Sequence, residues 1–164
     1  MSKALPQHLL TPFSFWQIST KAPEIIKTSA ASFKRLMLVK PYAVSTTNGM
    51  ADFFIPSWSA DWPGLKSSNQ TDTRVRVKTI TLNSLIKRYN IANIDILSVD
   101  TERTEIDVLK SLNFSKIKPK VIIVEHLSRE SRDQSLKIKK FFDGVGDYKL
   151  KHRTIANLIF VLNK

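Results

Sequence analysis

Residues 94–126 read IDILSVDTERTEIDVLKSLNFSKIKPKVIIVEH, and the changes of pattern along this stretch decide the fold. Residues 94–99 (IDILSV) are mostly apolar and end in Asp100, as a short strand does. Residues 102–112 then place Ile106, Leu109 and Leu112 at helical steps, which predicts a helix with one face turned inward. After Pro119, residues 120–125 (KVIIVE) are apolar between their ends and predict a strand buried on both faces. A strand, a helix and a second strand in one short run make a crossover unit whose strands lie parallel.

Working outward toward the amino terminus, residues 74–80 (RVRVKTI) alternate basic and apolar side chains, which predicts a strand with one buried and one basic face. Thr81 caps a short helix carrying Leu82, Leu85, Ile86 and Tyr89 on one side. Residues 42–56 (YAVSTTNGMADFFIP) predict two strands hinged on the hairpin signal Asn48-Gly49. Before them, Pro23 opens a helix with Ile26, Ala30, Phe33 and Met37 on one face, and Pro41 ends it. Residues 13–19 (FSFWQIS) read as a strand behind an irregular arm. Residues 57–73 read as a long loop whose Trp58 and Trp62 either grip a ring-shaped ligand or tuck the loop onto the core. Toward the carboxyl terminus, Ser131 and Gln134 form a capping-box pattern that opens a helix to about Phe142. Residues 148–153 and 156–162 close the chain as two strands joined by a tight turn. The expected architecture is α/β: a three-layer sandwich around a mostly parallel sheet with a C-terminal antiparallel hairpin, in a single domain over residues 1–164.

The composition narrows the chemistry. The 164 residues include no cysteine, which excludes disulfides, thiolate zinc sites, iron–sulfur clusters and cysteine nucleophiles. His8, His126 and His152 are too far apart for ligand spacing, and no metal site is expected. No apolar run reaches the length of a membrane span and no secretory signal is evident, so a cytoplasmic protein is expected. The net charge of +12 suits an anionic partner or simply a basic surface. The basic residues follow no nucleic-acid motif, so a nucleic-acid partner ranks last. Only four glycines occur, at 49, 64, 144 and 146. The pair 144 and 146 precedes a strand rather than a helix, so a glycine-rich nucleotide loop is not expected.

Ligands of open α/β sheets sit at the carboxyl ends of strands. Two such ends carry candidate chemistry here, Asp100 with Glu102 and Glu105, and Glu125 with His126. Asp100 ends its strand and is expected to face the crevice, where a carboxylate binds a hydroxyl or takes its proton. Glu102, Glu105 and Asp107 equally suit the positive end of the following helix. His126 is either a general base or a buried strand-end histidine.

These segments together resemble the FkbM family of S-adenosylmethionine-dependent methyltransferases. VKTITLNSL at 77–85, IDILSVDTERTE at 94–105, the strand ending in Glu125, AVSTTNGMADFFIP at 43–56 and the closing DYKL and ANLIFVLNK segments follow that family's order of motifs, over residues 41–164. The resemblance implies a class I methyltransferase-like Rossmann fold and transfer of a methyl group from S-adenosylmethionine to a hydroxyl of a sugar or secondary metabolite. Asp100, Glu102 and His126 would then line the active crevice, with a small-molecule or glycan acceptor. Two departures stand out. The family's opening strand and glycine-rich donor loop have no counterpart, so the domain is expected to be truncated at its amino terminus. Arg103 stands where the family has glycine, at a cost of about 1–2 kcal/mol if that backbone has positive φ. A catalytically inactive fragment or binding module is the alternative. Exposed sheet edges would then favour self-association or a completing partner.

Overall fold

A computed structural model describes residues 42–55, 73–101, 103–127 and 133–163, together with the backbone of Phe15–Ser19. In chain order the elements are β1 (Phe15–Ser19), β2 (Ala43–Val44), β3 (Gly49–Ile55), β4 (Thr73–Ile80), α1 (Leu82–Arg88), β5 (Ile96–Asp100), α2 (Glu105–Lys110), β6 (Val121–Glu125), α3 (Ser135–Val145), β7 (Tyr148–Arg153) and β8 (Asn157–Leu162). They form a five-stranded sheet of order β1-β5-β6-β8-β7 and a three-stranded sheet of order β2-β4-β3.

The crossover expected from residues 94–126 is present. β5 and β6 pair in parallel, with Ile96 opposite Val121 and Val99 opposite Val124, and α2 lies between them in the chain. The terminal hairpin is also present: β7 and β8 are antiparallel across a turn in which the Thr154 amide donates to Asn157 O and the Asn157 amide donates to Thr154 Oγ1.

The sheet is nevertheless mixed, and the expectation of a mostly parallel one is corrected. Among the described strands, β5–β6 and β2–β4 are parallel, and β1–β5, β6–β8, β7–β8 and β3–β4 are antiparallel. Part of the reason is the closing hairpin: the tight turn after β7 reverses β8, which lies between β6 and β7 and so runs against both.

Along the five-stranded sheet, burial alternates. Leu97, Val99, Ile122, Val124, Leu158 and Phe160 are buried in one cluster with Leu82 and Leu85 of α1, Val108 and Leu109 of α2, and Ile138 and Phe142 of α3. The three described helices therefore cover the same face of the sheet. Val121 and Ile123, which point the other way along the strand, are half-buried, so β6 is not buried equally on both faces as its composition predicts. An aromatic group closes the far end of the core: Phe142 stacks on Phe160 with centroids 4.0 Å apart, and Tyr148 donates its hydroxyl to Pro119 O.

Three local expectations change. Asn48-Gly49 is not a hairpin turn between paired strands, since β2 and β3 flank β4 on opposite sides and do not pair with each other. The helix expected over 102–112 is shorter, since α2 runs from Glu105 to Lys110. The helix expected to open at Ser131 starts at Ser135 and continues past Phe142 until Gly146, whose φ of +79° gives a left-handed cap. The helix expected after Pro23, the tryptophan loop and Ser131 lie outside the described residues.

Candidate functional site

The parallel register brings Asp100 and Glu125 to the same rim, since the pairing that sets Val99 beside Val124 carries both strands to their last residues there. β8 enters from this rim with Asn157 opposite Glu125, and β1 begins there with Phe15 opposite Asp100. Asp100 is exposed. Its side chain is therefore accessible to solvent at this rim. Glu102 lies outside the described residues.

Behind Asp100 the chain turns sharply. Arg103 has φ of +81°, in the left-handed region that suits glycine. The turn is organised by Glu105, only 3% exposed, whose Oε1 accepts from the Thr101 amide at 3.1 Å, the Arg103 amide at 3.0 Å and the Thr101 hydroxyl at 3.3 Å. Thr104 adds a bond from its hydroxyl to Thr101 O at 3.1 Å. Glu105 is therefore more than a complement to the helix end. Its carboxylate satisfies the amides of the turn that presents Asp100, and the acceptor oxygen is engaged within the chain.

His126 occupies the matching place after β6 and is buried. Its amide donates to Ala156 O at 2.7 Å, fixing it to the turn before β8. Its Nδ1 lies 3.1 Å from Asp133 Oδ1 and its Nε2 3.4 Å from Thr154 O. A neutral imidazole has a single N–H and can donate to only one of these two acceptors. Asp133 also accepts from the Ser135 amide at 2.7 Å and from Arg153 Nη2 at 2.8 Å. The Ser135 hydroxyl and amide, with smaller help from Arg153 and His126, hold the Asp133 carboxyl far below its ordinary value despite partial desolvation. His126 thus sits in a network of Asp133, Arg153 and Thr154, with both ring nitrogens turned to groups of its own chain.

The sequence missed Asp133 and Arg153. Asp133 had a signal: an aspartate two residues before the first helical amide is a natural acceptor for it. Arg153 had none, because its meeting with Asp133 depends on how β7 lies beside the start of α3. Among the described residues, no group of three or more His, Asp or Glu could hold a metal ion, and no helix is long and apolar enough to cross a membrane.

A nucleotide-like methyl donor would need a close backbone approach at this rim. None of the described glycines (49, 144 and 146) lies at the carboxyl end of β5 or β6. The neighbour of β5 is the antiparallel β1, which starts at this rim instead of ending there in a loop. The described residues do not supply a cradle for such a donor.

In comparison with known protein families, the family model described as methyltransferase FkbM domain matches residues 22–154. It begins nearer the amino terminus than the motif resemblance from residue 41 and stops before the last strand. No curated protein and no solved structure matches the chain.

Proposed function

Because the chain belongs to the methyltransferase FkbM domain family, we propose that it forms the acceptor-facing part of an enzyme that methylates a hydroxyl of a sugar or secondary metabolite. The observation that carries this reading is the exposed Asp100 at the end of a parallel strand, held there by the Glu105-braced turn. A carboxylate so placed orients an alcohol and takes up its proton as the oxygen becomes a nucleophile. Glu102, two residues on, is proposed to share this work. His126, buried with both ring nitrogens on its own chain, is proposed to support this rim through Asp133 and Thr154 as a positioning residue.

S-adenosylmethionine is the donor that the family implies. Its binding residues would come from outside the described set, in this chain, in a longer form of it, or in a second copy that completes the pocket. The whole of residues 1–164 is read as one domain of this kind.

A second reading has its own support. The lack of a glycine cradle among the described residues and Arg103 at a glycine-like φ favour a family member that serves as a binding module without transferring methyl groups.

Two measurements separate the readings. Calorimetric titration with S-adenosylmethionine, followed by transfer of labelled methyl groups to a panel of sugar and phenolic hydroxyls, is expected to show binding and turnover. Asp100→Asn should then lower kcat by about a hundredfold or more, with the melting temperature unchanged because the side chain is exposed. Absence of donor binding, by the chain alone and by any oligomer resolved on gel filtration, would establish the second reading instead.

A further inference from the structure

A groove on the described surface lies away from this rim. It lies between the start of β3, the end of β4 and α1, with a volume of about 720 Å³, and neither Asp100 nor His126 lines it. Lys78, Lys87 and Arg88 line it, and no carboxylate does.

The charges of β4 divide into two groups. Arg74 and Arg76 lie 3.5 and 3.6 Å from the Asp52 oxygens across the β3–β4 pair, so their charge is partly balanced. Lys78 is two residues further along the same face and stands opposite Met50. Among the described residues neither Lys78 nor Lys87 has a carboxylate within ion-pair distance. Arg88 is held in place: its Nη1 donates to the Tyr42 hydroxyl at 2.9 Å, and its Cζ lies 5.6 Å from the Tyr42 ring centroid.

The floor is also fixed. Asn48 Oδ1 accepts from the Thr81 amide and Asn48 Nδ2 donates to Ser84 Oγ, both at 2.9 Å, which pins the approach to β3 against the start of α1. Met50 is 49% exposed beside these cations. Uncompensated like charges gathered around a concavity raise a positive potential there, and the neighbouring thioether and phenol ring offer an apolar surface at its edge.

We propose that this groove binds a small organic ester of phosphate or sulfate. Its tetrahedral oxyanion sits between Lys78 and Lys87, and its carbon portion lies against Met50 and Tyr42. Ammonium groups suit such an oxyanion because each brings several donors and a full charge. The site is separate from the rim, so the inference holds whether or not the chain transfers methyl groups.

The test uses the full chain labelled with ¹⁵N and titrated with phenyl phosphate, phenyl sulfate or benzyl alcohol at constant ionic strength. At least one ester is expected to give saturable shifts at the amides of Gly49, Met50, Lys78 and Lys87. Comparing the two esters identifies the preferred oxyanion, and benzyl alcohol should leave these amides unmoved. The variant K78Q/K87Q changes two exposed side chains and should weaken ester binding about tenfold or more. Shifts that do not saturate, or that persist unchanged in K78Q/K87Q, would overturn the proposal. So would tighter binding of a 12-base-pair DNA duplex at matched salt over a surface that K78Q/K87Q leaves intact.

Discussion

Arg103 carries a backbone φ of +81°, where an L side chain costs about 1–2 kcal/mol. The strain can be isolated by two substitutions that both remove the guanidinium. In most positions alanine is the more stable of alanine and glycine, because glycine has more freedom to lose on folding. Here the order should invert: Arg103→Gly is expected to be more stable than Arg103→Ala by about 1 kcal/mol in urea denaturation. The reverse order would mean that this turn does not hold its left-handed conformation in solution. Glu105 makes the complementary case. Glu105→Ala leaves the buried Thr101 amide and the half-buried Arg103 amide without their acceptor, at an expected cost of about 2–4 kcal/mol. Glu105→Gln keeps an acceptor oxygen and should cost less than half as much. The need for a glycine-like backbone at 103 was legible, because the motif resemblance places glycine there. The role of Glu105 was not. In sequence it looks like any acid in a first helical turn, and only the folded chain sets the Thr101 and Arg103 amides around its carboxylate.

The same distinction governs the elements. β4, α1, β5, β6 and the β7–β8 hairpin were legible, because each is written in a local period of apolar residues or in a turn between two such runs. Asn48-Gly49 misled for a local reason. Its conformation suits a hairpin, and Gly49 does adopt a φ of +147°, but the Asn48 side chain is bonded to the start of α1 while β3 crosses to the far side of β4. The start of α3 is decided in a similar way by one acceptor. Gln134 makes no capping bond with its side chain, and Asp133 receives the Ser135 amide instead. This has a pH signature. The Asp133 carboxyl is held below the 3.8 of a free aspartate, chiefly by Ser135. Its ionised form therefore favours the native state above that value, and the benefit is lost as pH falls toward the folded pKa. The stability difference between the native chain and Asp133→Asn is expected to be largest near neutral pH and to shrink steadily as the pH is lowered through about 4. Thermal melts of both proteins between pH 7 and pH 2.5 measure it. A difference that stays constant over that range would remove Asp133 from the acid dependence.

At the scale of the whole molecule, pairing direction and charge depend on the global path of the chain. Local periods identify strands but do not reveal that β1 runs against β5 or that β3 and β2 flank β4, which is why the mixed sheets escaped the sequence. Net charge is a global quantity that the sequence does state, and its value of +12 has a measurable consequence. Like charges repel most in the compact state, and salt screens them. The melting temperature is therefore expected to rise between 20 and 300 mM sodium chloride. The anion groove adds a separable increment. A ligand at ten times its Kd stabilises the native state by about 1.4 kcal/mol, or roughly 3–5 °C in a chain of this size. Phosphate also stabilises proteins generally by exclusion from their surfaces, so the comparison must be made within variants. At equal ionic strength, phenyl phosphate should raise the melting temperature of the native chain by this increment over chloride and leave K78Q/K87Q close to its chloride value. The general rise with sodium chloride should persist in that variant, since it keeps all the other cations. If instead both proteins gain the same increment from phenyl phosphate, the stabilisation belongs to the diffuse charge of the surface and not to the groove.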